Sequence, residues 1–267
     1  MVPLKDRSPT ALYCRLAVHT FLGRYPSIFY PLYGMRSRMR KNLVSANTEI
    51  VIEGFPRSAN TYAVTAFERA QTKQVIIGHH VHAPAPVIRA IQWGIPTLVL
   101  IRQPAEAVAS LAVYMPHIPI AQALRAYTSF YKTVFPMRAG FVTATFEMVT
   151  ARFREVVLRI NERFDKDFGV PRLGSDEEEN VFQVIDRKNQ HANHGLNCRT
   201  SRPSAQREQS RLQALRLIEQ PRYQRQLAAA QDIYQIFTSH TDCLSHEIDK
   251  SALQDPRSEG QAALCES

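Results

Sequence analysis

A short apolar run flanked by glutamates, Glu49-Ile50-Val51-Ile52-Glu53, predicts a core strand over 48–54. A helical stretch follows at 61–70, with Asn60 or Thr61 placed to cap its start. Residues 74–78 and 97–101 read as two further buried strands, and 140–146 as a fourth. Between them lie helical patterns at 84–93 and 104–114, each opened by a proline. In a third, at 120–134, Ala123, Leu124, Tyr127, Phe130 and Tyr131 recur at helical spacing. One long amphipathic helix is expected over 149–164, with Phe153, Val156, Val157 and Ile160 on a single face.

Strands alternating with helices predict an α/β fold, with a mostly parallel central sheet flanked by helices. Right-handed crossovers then gather the strand-to-helix loops at one edge, where open sheets bind ligands. Those loops are 54–60, 79–84 and 102–104. Residues 1–47 read as a helical, basic extension interrupted by Pro26, Pro31 and Gly34. The α/β domain is expected over 48–244, with a helical C-terminal part, and 245–267 as a disordered tail. After residue 165 the pattern weakens. Residues 175–179 read as a capped helix start, 190–209 as a polar irregular stretch, and 211–237 as one or two amphipathic helices.

The first loop, Gly54-Phe55-Pro56-Arg57-Ser58-Ala59-Asn60-Thr61-Tyr62, has the strand–loop–helix layout that presents backbone N–H groups to an anion. Against the nucleoside triphosphate pattern G-x-x-x-x-G-K-[ST], Gly54 and Thr61 fit the ends. Ala59 replaces the second glycine and Asn60 the lysine, while the cation stands at Arg57. The loop can hold an anion without the usual clamp on a Mg-triphosphate.

Pro56-Arg57-Ser58-Ala59-Asn60-Thr61-Tyr62 resembles the 5′-phosphosulfate loop of sulfotransferases, roughly P-[KR]-S-G-[TSN]-T-[WY]. Downstream, Thr97-Leu98-Val99-Leu100-Ile101-Arg102-Gln103-Pro104 is similar to the family's 3′-phosphate segment, with Ser110 eight residues after Arg102. His82-Ala83-Pro84 resembles its H-x-P segment, which carries the base about twenty residues before that arginine. The resemblance covers roughly residues 48–165. It implies a P-loop NTPase-like fold and transfer of a sulfuryl group from 3′-phosphoadenosine 5′-phosphosulfate to a hydroxyl or amine. It also implies roles for residues. Arg57, Ser58, Ala59, Asn60, Thr61 and Tyr62 would meet the 5′-phosphosulfate, and Arg102 and Ser110 the 3′-phosphate. Arg57 would also stabilise the leaving group, and His82 would be the base, with His80 the alternative.

Two departures stand out. Ala59 occupies a glycine position, which narrows the backbone's freedom. The family's late R-K-G loop is missing, and the segment with Arg202 and Arg207 reads either as its replacement or as a flexible surface loop. Glu147, after strand four, reads as structural. Arg102 has a plain alternative in an ion pair with Glu106, Arg57 in a surface loop cation, and the histidine cluster in a metal site.

A net charge of +9 calls for a polyanionic partner or a solvated basic surface. No nucleic-acid-reading motif is present, so no nucleic-acid partner is expected. Cys14, Cys198, Cys243 and Cys265 are scattered without a C-x-x-C pair, so neither metal nor disulfide framework is expected, and a reducing cytoplasm is the natural compartment. Residues 12–41 combine apolar and basic character. They read as a helix packed on the domain or as a peripheral membrane contact, and are too interrupted by charge to span a bilayer. Trp93, Tyr114, Tyr127 and Phe130 could line an acceptor pocket or belong to the core. The acceptor class stays open between small molecule, carbohydrate and lipid. A P-loop-type kinase and a catalytically degenerate nucleotide-binding module are the competing readings.

Overall fold

The computed structural model describes residues 9–35, 40–172, 179–187 and 205–252. Its centre is a four-stranded sheet in the order β2-β1-β3-β4, all neighbours parallel. The strands are β1 (Ile50–Gly54), β2 (Ile77–His79), β3 (Thr97–Ile101) and β4 (Val142–Thr145). The helices are α1 (Pro9–Leu22), α2 (Pro26–Gly34), α3 (Asn60–Ala70), α4 (Pro84–Gln92), α5 (Pro104–Tyr114), α6 (Ile120–Val134), α7 (Phe146–Ala151), α8 (Phe153–Phe164), α9 (Ala205–Ile218) and α10 (Gln224–Ala252). A further helical stretch spans 179–187.

The period-2 alternation of β3 sorts its side chains onto two faces. Val99 and Ile101 join a core with α5, α6, α9 and α10. Leu98 and Leu100 join Ile50 and Ile52 in a second core under α3 and α8. Both β1 and β3 are buried throughout, as expected of central strands in a parallel sheet covered on both sides. α1 packs on α6, and α2 on α4.

Several boundaries differ from the sequence expectation. β2 begins at Ile77 rather than 74, where Ile77 pairs with Ile50; before it a single backbone bond, Glu49 N to Ile76 O at 2.9 Å, extends the contact. The helix expected over 149–164 is two helices broken at Arg152, whose φ and ψ of −139° and 37° leave the helical region. The cap of α7 is Thr145, whose hydroxyl accepts from Met148 N at 3.3 Å, with Glu147 at the positive end of the helix dipole. Asn60 does not cap α3. The helix starts from Ala59, and no side chain caps it. α10 continues to Ala252, into the stretch read from sequence as a tail.

Two backbone features set the edge where the loops gather. A Cβ on Gly54 would sit 2.4 Å from Leu100 O, so β1 and β3 approach closely only because residue 54 has no side chain. Residues with positive φ cluster in the first two loops: Arg57 (72°), Ala59 (66°), His80 (56°) and His82 (56°). Left-handed backbone at four non-glycine residues in two neighbouring loops is costly and persists only because the surrounding structure imposes it.

Gly54→Ala should lower stability by about 1–3 kcal/mol, because the added methyl pushes into backbone that cannot rotate away. Ala59→Gly should raise it by up to about 1 kcal/mol, the relief of a left-handed alanine less the added freedom of the unfolded glycine. Equilibrium urea unfolding measures both.

Candidate functional site

The site is built where β1 and β3 end. α6 supplies the frame. Tyr131 donates its hydroxyl to Leu100 O at 2.7 Å and accepts from Phe55 N at 3.3 Å, so one buried phenol ties both strand ends together. One turn earlier, Tyr127 donates to Arg102 O at 2.7 Å. These tyrosines and Phe130 are buried in the core, and the two tyrosines also position the strand ends. Sequence spacing placed Tyr127 and Tyr131 on one helical face but said nothing of the carbonyls they would reach.

The 54–60 loop meets the middle of α5 and the segment that leads into it. Arg57 Nε donates to Ser110 Oγ at 3.0 Å, and its guanidinium lies 5.2 Å from the Tyr114 ring centre. Arg102 Nη1 donates to Arg57 O at 3.2 Å, and its guanidinium stacks 4.0 Å from the Phe146 ring centre. Arg102 also pairs with Glu106 at 3.3 Å, so the plain ion-pair reading and the loop contact both hold. Burial lowers the Arg57 guanidinium to about 10, helped by the charges of Arg207 and Arg102. Burial lowers Arg102 too, against the pull of Glu106.

Ser58 is fully buried, its Oγ beside the Tyr131 hydroxyl without a hydrogen bond of normal length. Asn60 is turned inward, donating Nδ2 to Phe55 O at 3.0 Å, so it braces the loop. Thr61 Oγ1 lies 3.1 Å from His80 Nε2. Tyr62 packs its ring 5.6 Å from Phe182. Arg207 lies close enough to Arg57 to affect its titration, whereas Arg202 lies outside the described residues. α9 brings a residue that sequence reasoning missed: Arg211, one turn after Arg207, grips the carboxylate of Glu106. Its signal was the i, i+4 pair of arginines.

The histidine loop is held from behind by Glu53. This carboxylate is fully buried at the centre of the sheet and accepts from Val81 N at 2.6 Å and His82 N at 3.0 Å. Burial pushes it up to about 8, against the backbone donors that pull it down. His82 Nδ1 lies 2.9 Å from Gly54 O. A carbonyl can only accept, so Nδ1 carries the proton and Nε2 is left with its lone pair. Burial lowers His82 to about 4, so the ring is neutral at pH 7. His80 differs, because both its nitrogens are engaged, Nε2 with Thr61 and Nδ1 with His79 Nδ1 at 2.5 Å. His19 of α1 donates Nε2 to Val81 O at 3.1 Å, so the N-terminal helix also supports this loop. Glu53 could have been flagged in the sequence as a charge inside an apolar strand. Among the described residues no group of three or more His, Cys, Asp or Glu is arranged to hold a metal.

No family model matches the sequence, and no curated protein matches it. Among solved structures the chain is similar to a mouse sulfotransferase, SULT7A1, complexed with PAP. Identity is 12% and the TM-score 0.43, over 74% of this chain and 89% of that one. A likeness of that size assigns no chemistry, which rests on the residues above.

Proposed function

We propose that the chain is a sulfotransferase moving a sulfuryl group from 3′-phosphoadenosine 5′-phosphosulfate to an acceptor hydroxyl or amine. The observation that carries this reading is the junction of Arg57, Ser110 and Arg102. The two loops that resemble the family's 5′ and 3′ phosphate segments are joined by a 3.0 Å bond between their defining side chains. The residues present fit such a donor. Arg57 has no carboxylate partner among the described residues, α3 has no side-chain cap, and the Ser58 hydroxyl is buried and unbonded.

In-line transfer forms a bond from the acceptor oxygen or nitrogen to sulfur and breaks the bond from sulfur to the bridging phosphate oxygen. The acceptor's proton passes to His82 Nε2, and the leaving bisphosphate takes the bond's electron pair. Arg57 would neutralise charge growing on that oxygen. Arg102 and Ser110 would hold the 3′-phosphate, the guanidinium by paired N–H bonds. His82 is in the right protonation state to accept a proton, and the donor's negative charge would raise its affinity for one.

The kinase reading finds less support. Asn60, at the position of the phosphate-clamping lysine, is committed to Phe55 O. A degenerate binding module remains the competitor that activity must exclude, since Ala59 holds its left-handed conformation without a glycine.

Adenosine 3′,5′-bisphosphate at about 100 times its dissociation constant should stabilise the fold by roughly 2.7 kcal/mol, several degrees in a thermal scan. ATP with Mg²⁺ should stabilise it less. The reverse order would favour the kinase. His82→Ala should keep the bisphosphate shift and lose roughly 10²–10⁴-fold in turnover. Full activity in that variant would remove His82 from the chemistry. The pH dependence of kcat/KM reports the free enzyme. It should therefore rise with pH through an acid limb near 4, the value burial imposes on His82, rather than near the ordinary histidine value of 6.5.

A further inference from the structure

Seven of the twelve large apolar side chains exposed among the described residues fall between positions 13 and 35. They are ordered. On α1, Val18 and Phe21 follow the exposed Cys14 at i+4 and i+7, while Leu12 and His19 turn inward. On α2, Ile28 and Leu32 are followed by Met35 at the same spacing, while Phe29 and Tyr30 are buried. Each helix thus has two apolar faces, one packed on the domain and one turned to water. Phe21 is 57% exposed and Met35 83%. The Phe21 and Tyr25 rings lie 5.5 Å apart where the two rows meet, and exposed apolar side chains gathered in this way mark an interaction surface.

Charge says what covers it. Between Asp6 and Glu49 the chain carries seven Lys or Arg and no Asp or Glu. Where α1 passes into α2, Arg24 and Tyr25 border an open basin of about 750 Å³ whose other walls include Arg125, Ser129, Lys132 and Arg225. No carboxylate lines it, and none of its four cations forms an ion pair among the described residues. Apolar side chains in one row, cations beside them and no acid in the segment complement an anionic lipid surface, with acyl chains for the row and headgroup phosphates for the basin. No helix among the described residues is long and apolar enough to cross a membrane.

We infer that α1, α2 and the adjoining basic basin dock this protein onto the surface of an anionic bilayer. Docking is peripheral, with the apolar row entering the headgroup–acyl boundary while the helices lie in the plane. It stands independently of the sulfuryl-transfer reading. The two meet at α1, whose inner side supports the histidine loop through His19 and whose outer side faces the lipid.

The test is flotation of the full chain with vesicles of phosphatidylcholine alone or mixed with phosphatidylglycerol. Binding should appear on the mixed vesicles, fall with added salt, and be at least about tenfold weaker on phosphatidylcholine alone. The triple variant F21E/I28E/L32E should lose vesicle binding. Lys132→Glu with Arg225→Glu should weaken it with the apolar row intact. All five positions are exposed, so unfolding midpoints and far-ultraviolet circular dichroism should stay near the parent's. Failure of the parent to float with mixed vesicles, or equal flotation of the folded triple variant, would overturn the proposal. So would concentration-dependent self-association abolished by the triple variant in a parent that ignores lipid, which would make the face a contact between copies.

Discussion

The close approach of β1 and β3 at Gly54 is the constraint on which the site depends. Gly54 pairs with Leu100, and the missing side chain lets the Leu100 carbonyl lie where a Cβ would be. Adjacent parallel strands that end together release their loops side by side. Arg57 can then reach Ser110, and Arg102 the Arg57 carbonyl, over chain separations of 53 and 45 residues. Tyr131 locks the same junction from α6 by bonding both strand ends. The sheet order does the rest. β2 lies on the other side of β1, so its histidine loop arrives from the opposite flank, with Gly54 O accepting from His82.

Glu53 is the costly element in this arrangement. An ionised carboxylate in the middle of a sheet is strongly disfavoured unless donors surround it. Here the donors are the N–H groups of Val81 and His82, which enter a loop containing two left-handed histidines. The linkage has a definite sign. Glu53 ionises near 8 when folded against an ordinary 4.5, so the folded chain holds the extra proton between those values and stability falls as pH rises across that window. His19 and His82 stay neutral down to about 4 against an ordinary 6.5, so they add stability as pH rises from about 4 to 6.5. Up to about 6.5 the two histidines outweigh the one glutamate, and above it only the glutamate's falling contribution remains, so these three groups together favour the fold most near pH 6.5.

The fold was legible because its strands are short apolar blocks separated by amphipathic helices, a pattern that depends only on local burial. Arg57, Arg102, Ser110 and His82 stood out at strand ends because the segments that carry them resemble a known family's motifs. Their mutual contacts were not, because they follow from strand order, and sequence order does not say that β3 lies beside β1. Asn60 shows the limit clearly. Its position suggested a cap, and the tight loop instead turns its Nδ2 onto Phe55 O, leaving Oδ1 buried without a hydrogen bond. The left-handed Ala59 was unreadable for a similar reason: alanine carries no mark of the conformation its neighbours impose. Arg211 needed α9 to return across α5, a tertiary event with no local signature.

The choice of arginine at position 57 ties these observations together. Its Nε is spent on Ser110, which leaves both Nη groups without a hydrogen bond among the described residues. A lysine would have to serve both Ser110 and an anion from a single nitrogen, without the guanidinium's fixed, planar spread of donors. The guanidinium can keep the link to α5 while offering its outer edge to an anion held by the loop. Burial has already stripped much of its water, which is why it titrates at about 10. An anion arriving there meets a cation whose desolvation was met during folding, and the gain from pairing is correspondingly larger than at an exposed arginine. The neighbouring charges of Arg102 and Arg207 add to the same potential, while Glu106 is already shared between Arg102 and Arg211. The uncompensated positive charge therefore concentrates at Arg57, at the end of the helix that no side chain caps.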